Sequence, residues 1–95
     1  MTKAELVRNI SRNTDMNSKD VLAVVEEFMT EVKKAFIRRE EVYLRGFGSF
    51  IIKHRAKKTI RNLKQNKRME IPAIDIPGFR AGKDLQAQMR KTQTL

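Results

Sequence analysis

Eight lysines and arginines fall within residues 53–68, and no aspartate or glutamate lies among them. The only apolar side chains in that stretch are Ala56, Ile60 and Leu63, so it cannot form part of a core. Cations at this density bind phosphates: they displace the counterions condensed on a polyanion, with an affinity that falls steeply as salt rises. No other chemistry is within reach of the side chains present. No nucleophile with a base at motif spacing and no paired carboxylates are found, so an enzyme is not expected. Cysteine is absent and His54 is the single histidine, which argues against a disulfide framework, a metal site or a cofactor. His54 stands among basic neighbours with no obvious carboxylate partner and reads as a polar surface residue. The Gly46-Phe47-Gly48 turn lacks the lysine and helix that would make it a phosphate loop.

The whole chain, 95 residues, carries a formal net charge of +10, and the charge is localised. Residues 49–80 hold nine basic and two acidic side chains, residues 14–41 five basic and seven acidic. A concentrated basic surface favours a polyanionic partner over a small-molecule substrate. Charge alone leaves DNA, RNA and an anionic membrane open. The membrane is disfavoured because the basic segment lacks the apolar face of an interfacial helix, and no stretch has the ~20 apolar residues of a span. A soluble, cytoplasmic protein is expected.

The basic stretch needs a scaffold. Thr2 and Glu5 have the spacing of a capping box, with Leu6, Val7 and Ile10 on one helical face behind them, which predicts a helix over 3–13. Asn17 is a plausible cap for a second helix ending near Arg39, in which Val21, Val25, Phe28, Met29, Val32 and Phe36 form an apolar stripe. Two short helices cannot cover that stripe, so it must pack elsewhere in the fold or on a second chain. From Val42 the pattern turns β-like, with strands expected over 42–45 and 49–52 around the Gly46-Phe47-Gly48 turn. A second β-like run, 69–76, is expected to pair with the strand at 49–52 and beyond. The basic residues between these runs then project as a long hairpin with its tip at 63–67. Gly82-Lys83 opens a last short helix in which Leu85 and Met89 share a face. Phe47, Phe50 and Phe79 read as core.

Alternation along a strand would aim Lys53, Arg55, Lys57 and Arg61 to one side, with Thr59 as the gap. Such a ladder can follow a groove of duplex DNA. At the tip, Arg61-Asn62-Leu63 sets two hydrogen-bonding side chains beside an apolar one, a combination suited to a narrow groove. Leu63 either wedges between base steps or packs back on an aliphatic stem such as that of Lys67. Lys64 and Lys67 add charge there, and Lys3 and Lys83 are candidates for contacts with flanking DNA.

Taken together, Thr2-Lys3-Ala4-Glu5-Leu6, Leu44-Arg45-Gly46-Phe47-Gly48-Ser49-Phe50, His54-Arg55-Ala56, Arg61-Asn62, Ile76-Pro77-Gly78-Phe79 and Gly82-Lys83 resemble the bacterial histone-like HU and integration host factor family, over nearly the whole chain. The resemblance implies an α+β fold, a helical body with a three-stranded antiparallel sheet extended into a long β-ribbon arm, in an intertwined dimer. It implies one domain over 1–95, with a helical part at 1–40, sheet and arm at 41–80, and a C-terminal helix at 81–91. Arg55, Arg61 and Asn62 match the family's arm, Lys83 matches its flanking lysine, and Lys58 stands where arginine is common. Leu63 departs from the pattern, since the family usually has proline there, as its intercalating wedge. Asn66, near where many members carry glycine, can adopt a left-handed turn. Lys57 adds a cation where members often have an acid or a neutral residue, which should tighten nonspecific binding.

The reading that follows is a histone-like, nucleoid-associated protein. It binds double-stranded DNA with little sequence preference, favours bent or distorted duplex, works through β-arms in the minor groove, and bends and compacts DNA. A homodimer is expected, with a heterodimer with a related chain as the alternative. A site-preferring subunit like integration host factor is the runner-up function, and an RNA-binding role the more distant one.

Overall fold

The computed structural model describes residues 1–62 and 64–93, as eight elements in two compact units, Met1–Ile37 and Arg38–Leu95. The first unit is a helix pair. α1 (Lys3–Thr14) begins as its sequence predicts, with the Thr2 hydroxyl accepting from the Glu5 N–H at 3.2 Å. It stops at Asp15, whose left-handed backbone closes the last turn. α2 (Ser18–Ile37) starts at Asn17, whose side-chain oxygen accepts from the Lys19 N–H at 2.8 Å. Packing of the two helices buries Val7 and Val21, while Val24 on α2 remains 62% exposed. The predicted end near Arg39 is two residues late. Arg39 takes a φ of +61°, a left-handed conformation that costs an L-residue about 1–2 kcal/mol and cannot continue a helix.

The second unit is built on one long hairpin. β1 (Val42–Leu44) turns into β2 (Gly48–Arg55) through a tight turn in which the Phe47 N–H donates to the Leu44 carbonyl at 3.0 Å. Gly46 sits third in that turn at φ +81°, the value a type II turn asks for there. β3 (Lys58–Asn62) and β4 (Lys67–Ile71) follow, then β5 (Ile74–Ala81) and α3 (Lys83–Gln93). β1, β2 and β5 form a three-stranded antiparallel sheet with β2 central, and β3 and β4 form a two-stranded one. This is the expected α+β arrangement, with a sheet that leads into a ribbon.

The run 69–76 pairs with the residues beyond 52, as expected, but not with 49–52 themselves. Residues 49–52 face Pro77 to Arg80 on β5, and the run 69–76 is split between β4 and β5. The two prolines explain the split. The Ile52 N–H points away from β5 to a Glu41 carboxylate oxygen at 3.0 Å, so Ile52 and its opposite number Pro77 form a pair without ladder hydrogen bonds. Pro77 lacks an N–H at a place where none is needed. The register continues unchanged from β2/β5 to β3/β4, with Arg55 opposite Ile74 and Lys58 opposite Ile71. Carried through the gap, it sets Pro72 opposite Lys57, at a position of the other parity, where both partners would have to exchange bonds. The ladder therefore breaks at Pro72 and survives Pro77.

Side chains at the base of the sheet are tightly fitted. Ile51 is buried, and the Phe79 ring lies 5.3 Å from both Phe47 and Phe50; the rings pack on one another, yet Phe47 and Phe79 stay 48% and 41% exposed, so they are not the core residues expected. Gly48 accommodates this cluster, since a Cβ there would come within 2.5 Å of the Phe79 ring and 2.6 Å of the Arg80 carbonyl oxygen.

Candidate nucleic-acid interface

The basic residues occupy two consecutive stretches of one hairpin. Lys53 and Arg55 end β2, exposed, at alternate positions on one face. The Lys53 stem lies across Gly78, within 2.9 Å of where a Cβ would stand. Lys58 and Arg61 belong to β3 and Lys67 to β4, all exposed. Lys57 sits in the break between the strands, so the single ladder through Lys53, Arg55, Lys57 and Arg61 is replaced by two segments. Lys57 is also held by a carboxylate, Glu70 on β4, at 3.3 Å. It is thus a neutralised cation in the unliganded protein, not a simple addition to the positive face. Lys3 likewise pairs with Glu26, at 3.1 Å. Lys83 is exposed on the first turn of α3, where the Gly82 N–H donates to the Phe47 carbonyl at 2.9 Å.

Near the tip, Asn62 faces Lys67 and Arg61 faces Arg68. A tip spanning 63–67 would have centred the hairpin half a residue later and set Arg61 against Met69. Asn66 fixes the observed register by taking the left-handed conformation anticipated for it, φ +52°, while its side-chain oxygen accepts from the Arg61 guanidinium at 2.9 Å. The shift matters because opposed residues share a face of the ribbon. One face carries Lys58 with Ile71 and Ile60 with Met69; the other carries Thr59 with Glu70 and Arg61 with Arg68. Two guanidinium groups directly opposed across antiparallel strands repel one another, and an anion between them relieves the repulsion. Arg68 was overlooked as a site residue in the sequence, where its role depends on a register that one turn residue decides. Leu63, the candidate wedge, lies outside the described residues, as does the side chain of Asn62.

His54, read as having no carboxylate partner, has one. Its Nδ1 is 2.7 Å from Asp75 Oδ1, directly across the β2/β5 pair, and the other carboxylate oxygen accepts from Arg39 Nε at 3.0 Å. These two hydrogen bonds, His54 first, hold the Asp75 carboxyl below its usual range. Glu41 is held low in the same way by the Ile52 N–H and the Tyr43 hydroxyl, and the Tyr43 phenol is correspondingly raised by its bond to Glu41. The partner was invisible in the sequence because 21 positions separate the two residues.

Comparisons with known proteins agree with this architecture. The profile of a family described as bacterial DNA-binding protein matches residues 1–90. Integration host factor subunit beta of Marinobacter nauticus is 38% identical over 90 residues, covering 94% of this chain and 92% of that protein. DNA-binding protein HU of Thermus thermophilus is 33% identical over 91 residues, 96% of this chain and 94% of that one. Among solved structures, the HU protein of an Anabaena HU–DNA cocrystal superposes with a TM-score of 0.84 at 35% identity, covering 94% of this chain and 97% of that chain. A profile spanning nearly all the residues, relatives above 30% identity along almost their full length and a shared fold place the chain in the bacterial DNA-binding protein family of HU and integration host factor.

Proposed function

We propose that this chain acts as a dimer that grips duplex DNA with its two arms in the minor groove, with little sequence preference, and bends and compacts it within the nucleoid. The observation that carries the reading is the facing pair Arg61 and Arg68 on an exposed two-stranded ribbon, an arrangement that an intervening phosphate backbone stabilises. Lys53, Arg55, Lys58, Lys64 and Lys67 extend the positive surface along the hairpin, Asn62 and Leu63 meet the bases, and Lys3 and Lys83 take flanking phosphates. Lys57 joins them once Glu70 releases it. The dimer is supported by how little each unit buries: Val7, Val21, Ala35 and Ile51 are the buried apolar residues among those described, while Leu6, Met16 and Val24 stay exposed. The protein would then work as one domain of 95 residues, without catalysis.

The test is a competition titration against a linear duplex, a nicked or four-way-junction DNA of matched composition, and a double-stranded RNA. Distorted DNA should bind tightest and lose affinity steeply with salt. Leu63→Ala should erode the preference for distortion while leaving the salt dependence in place. RNA winning would overturn the reading. The 38% identity to an integration host factor subunit favours one second reading, recognition of particular sites through their deformability. Selection from a random duplex pool separates the two, since a recovered consensus would favour site preference.

A further inference from the structure

Residues 49–80 contain two acids, Glu70 and Asp75, amid nine cations, and a carboxylate on a surface that meets phosphates works against binding unless it does something else. Asp75 joins three parts of the chain. It lies on β5, bonds across the ladder to His54 on β2, and bonds to Arg39, which precedes β1.

That location is where the sheet runs out of strands. β1 accompanies β2 only as far as Phe50, opposite Val42, and beyond it β2 and β5 continue as a pair. A bare two-stranded ribbon is marginal in water. Here it is braced from the segment before β1: Glu41 supplies the acceptor for the Ile52 N–H that a longer β1 would have supplied, and Arg39 reaches to Asp75. The ribbon is thereby supported up to the rung of His54 and Asp75, three rungs short of the break at Lys57 and Pro72.

Building on the DNA-bending reading, we infer that Asp75 is a positioning residue for bending: it locks the root of the arm to Arg39 and His54, so that the arm leaves the sheet in a fixed direction and pivots only at the break beyond. Without the lock the arm still carries its cations and still binds, but the direction in which it pulls the duplex is no longer set.

The experiment uses the full chain and a duplex with donor and acceptor dyes at its ends. Affinity and energy transfer at saturation are read for the wild type, Asp75→Asn and Asp75→Glu, alongside hydrogen exchange of the Arg55 and Ile74 amides in the free protein. Asp75→Asn should bind within about fivefold of the wild type, the range an exposed ion pair commands, yet give lower transfer at saturation and faster exchange at both amides. Asp75→Glu should recover part of both. Unchanged transfer and exchange in Asp75→Asn overturn the inference, and so does a fall in affinity and melting temperature with full transfer at saturation, which marks a merely structural role. A wild type that fails to bend DNA, with exchange still accelerated in Asp75→Asn, overturns the function proposed above and upholds the brace.

Discussion

The two halves of the long hairpin share one register and differ in everything that supports it. The inner half, β2 with β5, has β1 along part of its length, the ring cluster of Phe47, Phe50 and Phe79 beneath it, and the Arg39 and Glu41 tethers at its far end. The outer half, β3 with β4, has no third strand, exposes its described side chains, and sets arginine against arginine. The halves meet where Pro72 falls on the wrong parity of the ladder. A single proline, five residues from another that is harmless, divides a hairpin into a held part and a part that carries most of its exposed cations.

The division can be broken most severely from the inner side. Gly48→Val would drive a side chain into the Phe79 ring and the Arg80 carbonyl, and overpacking of this kind costs about 1–3 kcal/mol. Thermal melting should drop by several degrees, with DNA binding lost only as the protein unfolds. Pro72→Val should act on the boundary itself. By supplying the missing N–H it lets the ladder run from β2/β5 into β3/β4, seen as slowed exchange at Lys57, and the stiffer arm should lose part of its preference for distorted over linear DNA.

Acid weakens the held half in a defined direction. The Asp75 and Glu41 carboxyls are depressed in the folded chain, so their contribution is fully present above the ordinary carboxylate range near ~4 and is lost as pH falls through their lower folded values. Tyr43 is raised, so its contribution is fully present below the ordinary phenol range and lost as pH climbs through the higher folded value. Exchange at the Ile52 amide should stay slow between those limits and quicken beyond either; a change centred near neutrality would contradict the assignment. The smallest effect is expected from Glu70→Gln, which frees Lys57 and should raise DNA affinity by no more than about fivefold, as for other exposed pairs.

Much of this was legible in the sequence, because the signals were local. Thr2 with Glu5 and Asn17 marked the helix starts, Gly46 marked the turn, and the run of cations marked the arm. What escaped depended on register. Of the pairing expected for 69–76, the part beyond 52 holds and the part with 49–52 does not, because the run looks like one strand until the parity of Pro72 and Pro77 is known. Arg68 was missed because its position opposite Arg61 hangs on Asn66. The carboxylate partner of His54 was missed because Asp75 reaches it only across a long hairpin, and the early end of α2 turned on a left-handed arginine that no propensity foretells.

The central claim is that the outer half of the hairpin is where the chain meets phosphate, and the salt dependence of DNA affinity tests it most directly. Titrations of a nicked duplex over a range of salt should give, for Arg61→Gln with Arg68→Gln, a slope shallower than the wild type by about 3.5, since the dimer loses the pair from both arms and close to one counterion goes with each phosphate contact removed. An unchanged slope, with the folded structure intact, would mean that these arginines do not face the duplex and that the account of the arm is wrong.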